Sequence, residues 1–177
     1  MHAGANMDKW LQQLLDDAKA GRARDLSGTR VALDLSISDR LINDVLAQTL
    51  PRDGTVKEIQ VQCRAGDARV GVKLARPAFL PTINITAAVE RQPEWPASPI
   101  LVLRLSIPPA IAGLLGAGAS FLNVLPPGHR LEGDRLHVDL AAVLQHRGFG
   151  WVVPYARAVT VRFEPGRLVH FVEAEVP

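Results

Sequence analysis

His129, His137, His146 and His170 are the side chains best suited to bind a metal or move a proton, and their spacing suits neither task. A zinc site draws its ligands from pairs such as HxH, HExxH or CxxC, and none of these occurs. His137 lies between Leu136 and Val138, so strand alternation turns it away from their side. Asp16-Asp17 belongs to the wet face of a helix. Glu173 and Glu175 share one strand face near the C-terminus, where water leaves carboxylates no reason for a raised pKa. Ser120 follows Gly116-Ala117-Gly118-Ala119 but lacks a G-x-S-x-G frame and a strand leading into it. The same glycines fail as a dinucleotide loop, because Phe121 stands where a third glycine belongs and they lie inside an expected helix. Cys63 is the single cysteine, so no intrachain disulfide can form; it alternates with Ile59 and Val61 and reads as core filler. The residues predict no catalysis, no metal and no cofactor.

Composition bounds what remains. The 177 residues fit one domain with room for a core, and 47% hydrophobic against 21% charged residues is ordinary for a globular chain. Aromatics supply only 5%, so Val, Leu, Ile and Ala must fill the interior. A net charge of +2 with no basic run gives no nucleic-acid footprint.

The elements that would position a site alternate between two periods. Asp8 to Arg22 has the spacing of an amphipathic helix, with Trp10, Leu11, Leu14, Leu15 and Ala18 on one face. Arg30 to Ile37 alternates as a strand, with Val31, Leu33, Leu35 and Ile37 on one side. Ser38 or Asp39 caps a helix to Thr49. Strands follow at Val56–Arg64, Arg69–Ala75, Thr82–Glu90 and Ile100–Ile107, with a turn at Ala65-Gly66-Asp67 and a loop from Gln92 to Pro99. Leu131 to Leu140 holds a short hairpin, Asp139 caps a helix to Arg147, and Gly148 to Trp151 is an aromatic loop. Ala158–Glu164 and Leu168–Val176 form a closing hairpin. Strand, short helix and hairpin occur in that order both in Val31–Leu74 and in Leu136–Val176, a faint internal echo.

Leu105 to Gly128 carries no charge. Its length permits a membrane span, but its glycines, prolines, Ser106, Ser120 and Asn123 favour a helix from Pro109 to Leu125 held against a sheet. Ligand sites are concave and mostly apolar. Ile111, Leu114, Leu115, Phe121 and Leu122 are therefore the candidate ligand-binding residues of a groove between helix and sheet. Phe79, Leu80, Phe149 and Trp151 would form its rims. The same side chains would serve equally to close a solid core.

SISDRLINDVLAQTL followed by VKEIQVQCRAGDARVGVKL resembles small bacterial single-module members of the tubular lipid-binding (TULIP) superfamily. Asn43 and Leu46 stand for an Asn-x-x-Leu element in the helix. LEGDRLHVDLAAVLQ and the VTVRFEPGRLV hairpin match the closing part, so the resemblance spans residues 28 to 176. It implies a long curled antiparallel sheet around helices, an apolar groove for acyl chains and no catalytic residues.

The expectation is an α+β chain with a lead and N-terminal helix over residues 1–27 and one domain over 28–177. A long curled antiparallel sheet would wrap one or two helices and bind a lipid or other apolar molecule. Peripheral membrane contact and a homo-oligomer are both compatible with this. The alternative is a protein-interaction or structural domain with a packed core and no ligand. As it stands the chain is expected in the cytoplasm; preceded by a leader, it would belong to the periplasm or envelope.

Overall fold

A computed structural model of the chain describes residues 16, 17, 20, 27–49, 56–75, 82–106, 125 and 127–176. It is mostly antiparallel sheet with few helices, as the alternating sequence predicts for an α+β chain. The order is β1 (Arg30–Ser38), α1 (Asp39–Thr49), β2 (Val56–Cys63), β3 (Asp67–Leu74), β4 (Ile83–Arg91) and β5 (Ile100–Ser106). After these come β6 (His129–Glu132), β7 (Arg135–Asp139), α2 (Leu140–His146), a 3-10 helix (Gly150–Tyr155), β8 (Ala156–Glu164) and β9 (Arg167–Glu175). The expected Asp8–Arg22 helix lies outside the described residues, apart from a bond of 3.0 Å from the Ala20 N–H to the Asp16 carbonyl.

The strands divide into two sheets where the sequence suggested one long meander. Three strands run in the order β1-β9-β8, and six run β2-β3-β4-β5-β7-β6. Neither sheet closes. Alternation shows which side chains share a face, but not which strand lies alongside. β1 skips all the intervening strands to pair with β9, in the register Arg30↔Glu175 through Ser38↔Arg167.

The two helices begin where the short polar residues indicate. The Ser38 hydroxyl accepts the Leu41 N–H at 3.3 Å, and Asp139 accepts the Ala142 N–H at 2.9 Å. The Gly148–Trp151 stretch, expected as a loop, instead leads into the 3-10 helix, which runs through Pro154.

α1 lies along the outer edge of β2. The Asn43 side chain donates to the Val61 carbonyl at 2.9 Å and accepts the Val61 N–H at 2.7 Å. One turn earlier, both Asp39 carboxylate oxygens accept the Cys63 N–H at 3.1 Å. Gln92 treats the outer edge of β8 in the same way, donating to the Val161 carbonyl at 2.7 Å and accepting its N–H at 2.9 Å. A bare edge strand is a template for unwanted pairing, and a carboxamide can satisfy one residue's N–H and C=O together.

The two sheets meet at their hairpin tips. Gly66 N–H donates to the Phe163 carbonyl at 3.1 Å, and Gly166 N–H to the Cys63 carbonyl at 3.0 Å. Cys63, Ala68, Ala87, Leu101, Val102, Ala156, Val161 and Val169 are the buried apolar residues among those described.

Candidate apolar binding face

The three-stranded sheet carries one continuous apolar face. Residues opposite one another in an antiparallel ladder point the same way. Leu33 is therefore on the same side as Val172 and Val159, Leu35 as His170 and Val161, and Ile37 as Leu168 and Phe163. Exposure rises across this face. Val161 on β8 is buried at 3%, the β9 residues are half-buried, and Val31, Leu33 and Leu35 on β1 are 45%, 49% and 49% exposed. α1, which follows β1 directly, has Leu41 and Val45 exposed and Ile42 and Leu46 half-buried. One side of this face belongs to the core, and the other lies open to water.

His170 is the one titratable side chain in the rows just named. Burial among Leu35, Val161 and their neighbours holds its pKa below the usual histidine value, because the charged ring would lose its hydration. The alternation Leu168-His170-Val172 already places it on an apolar side, a signal that metal-ligand spacing does not carry.

The nucleophile is disarmed. Burial pushes the Cys63 thiol up to about 12, and the Asp39 carboxylate beside it adds to the effect by hydrogen bonding and by charge. Cys63 is therefore a protonated filler at neutral pH, as its place in the alternation predicts.

The six-stranded sheet bears a charged face. Glu90 accepts Arg135 Nε at 2.7 Å and Arg104 Nε at 2.8 Å, and those hydrogen bonds, Arg135 first, hold its carboxyl below the usual range. His137 lies on this face with Nε2 3.3 Å from a Glu132 carboxylate oxygen, without hydrogen-bond geometry. Glu90, Arg91, Val102, Arg135 and His137 surround a shallow depression of about 110 Å³. No group of three or more His, Cys, Asp or Glu among the described residues is arranged to hold a metal ion. No described helix is long and apolar enough to cross a membrane.

The candidate groove residues fall differently. Ile111, Leu114, Leu115, Phe121, Leu122, Phe79 and Leu80 lie outside the described residues, as does the Pro109–Leu125 helix except for Leu125. Phe149 is 53% exposed just before the 3-10 helix, and Trp151 is half-buried within it. Phe149 N–H donates to the Leu144 carbonyl at 2.8 Å, so α2 sets the position of this aromatic pair. The groove reading included no member of the apolar face, Val31, Leu33, Leu35 and His170 among them.

No family model matches the chain, and no curated protein or solved structure matches it either.

Proposed function

We propose that the protein holds a lipid or another apolar molecule against the open face of its three-stranded sheet and does no chemistry on it. The observation that carries this reading is the half-exposed row Val31, Leu33 and Leu35, on a face whose far side is buried at Val161. Scattered exposed leucines need no explanation, but a contiguous apolar patch is a site of contact. The TULIP-like order of strand, Asn-x-x-Leu helix and meander supports an acyl chain as the occupant. So does the face itself, where apolar side chains surround a single desolvated imidazole and no ion pair links the residues named.

The test is extraction of the purified protein followed by lipid mass spectrometry, with Leu35→Lys as the control. Leu35 is 49% exposed, so the substitution leaves the fold standing. Stoichiometric acyl ligand in the wild type, absent from the variant, supports the reading. Equal amounts in both, or none in either, overturn it.

A further inference from the structure

We propose that two copies of the chain pair through β1, antiparallel and about a two-fold axis at Ala32, joining two three-stranded sheets into one of six. The argument starts from the hydrogen-bond parity of β1. Thr29 accepts the Val176 N–H at 3.0 Å at one end, and Asp39 donates to the Gly166 carbonyl at 3.0 Å at the other. In an antiparallel pair the bonded residues alternate, so the odd-numbered positions of β1 face β9. Arg30, Ala32, Asp34 and Ser36 therefore direct their backbone N–H and C=O groups to the outer side. β1 ends its sheet there, and no described residue bonds these groups.

Of the other three sheet edges, β6 is only four residues long, and the two long enough to pair in the same way are managed. Asn43 covers β2 at Val61, and Gln92 covers β8 at Val161. β1 has no such cover among the described residues, is nine residues long, and carries exposed Val31, Leu33 and Leu35 on one face. A long, apolar, uncovered edge is the feature that recruits another strand.

Charge selects the occupant and the register. A two-fold pairing must bond even-numbered residues to even-numbered residues. Centred on Asp34 it would oppose two like carboxylates, which is destabilising. Centred on Ala32 it places Arg30 opposite the partner's Asp34, and Asp34 opposite the partner's Arg30. Val31 then lies opposite the partner's Leu33, so the apolar faces join. Arg30 is free to make this pair: its side chain is 80% exposed, and its contact with Glu175 is a loose 3.4 Å. Glu175 keeps Arg157 at 3.9 Å, and Asp34 has no cation partner among the described residues. A second copy of this strand supplies both charges in the required places.

Sedimentation velocity of the full chain over a concentration series tests the pairing. The wild type is expected to dimerise. Asp34→Arg sets a second guanidinium against the partner's Arg30, once on each side of the axis, and should raise the dimer dissociation constant by about tenfold or more. The swapped variant, Arg30→Asp with Asp34→Arg, restores both opposite-charge pairs and should restore the dimer. Ala32→Pro removes one outward N–H at a place where an edge strand tolerates proline, and should leave folded monomer by circular dichroism. A wild type that stays monomeric overturns the proposal. So does a dimer indifferent to Asp34→Arg, or a folded swap variant that stays monomeric. The Leu35→Lys control, whose site lies opposite the partner's Thr29, separates this result from the fate of the ligand reading.

Discussion

Gly66 and Gly166 hold each other's hairpins in place: each donates its N–H to a carbonyl three residues before the other, Gly66 to Phe163 and Gly166 to Cys63. Both have positive φ, +87° and +75°, and a Cβ at either would meet nothing within 4 Å. The cost of a side chain there is therefore conformational rather than steric. Gly166→Ala should destabilise the protein by about 1–2 kcal/mol in urea denaturation. Gly166→Asn, whose side chain suits the left-handed region, should cost less than Gly166→Val. Equal losses for all three would show that the junction is governed by something other than φ.

Asn43 and Gln92 each satisfy both polar groups of one edge residue. Asn43→Ala leaves the Val61 N–H and C=O without their partner, for an expected loss of about 1–3 kcal/mol. Hydrogen exchange should report it locally. The Val61 amide should speed up in Asn43→Ala, and the Val161 amide in Gln92→Ala, each with little change at the other site.

The Cys63 thiol, pushed up to about 12 and 3% exposed, should resist iodoacetamide at pH 8 in the folded protein. It should alkylate readily in denaturant. Modification of the native protein at the rate of a free thiol would contradict both its burial and its protonation.

His170 predicts a pH dependence with a definite sign. Its folded pKa lies below the ordinary 6.5, because burial disfavours the charged ring. Between the folded value and 6.5 the unfolded chain binds more protons, so stability falls as the pH drops through that window. Glu90, with its depressed pKa, adds a separate loss at lower pH, as acid titrates a carboxylate held by Arg135 and Arg104. His170→Phe should flatten the first decline and leave the second. Urea midpoints measured at successive pH values would separate the two.

Much of this architecture was legible in the sequence because it is local. Strict alternation from Arg30 to Ile37 gave β1, Asp139 before an apolar run gave the start of α2, and Glu164-Pro165-Gly166-Arg167 gave the last turn. Partner choice was not legible, because Val31 alternates identically whether its neighbour is β2 or β9. The edge caps were hidden for a related reason: Gln92 reads as a loop residue until β8, far along the chain, lies beside it. His170 was readable from its place between Leu168 and Val172. The groove between sheet and uncharged helix stays an inference, since Ile111, Leu114, Leu115, Phe121 and Leu122 fall outside the described residues.

The pairing of Arg30 with Glu175 sets a condition on biosynthesis. β1 leaves the ribosome well before β9, against which it zips, because the whole chain from α1 to β8 is made between them. At ordinary elongation rates the delay is roughly ten seconds or more. For that time Val31, Leu33 and Leu35 have no sheet to join, and both long sides of β1 are unzipped. β1 therefore stands to gain from a chaperone, and its docking, which must wait for β9, completes the three-stranded sheet.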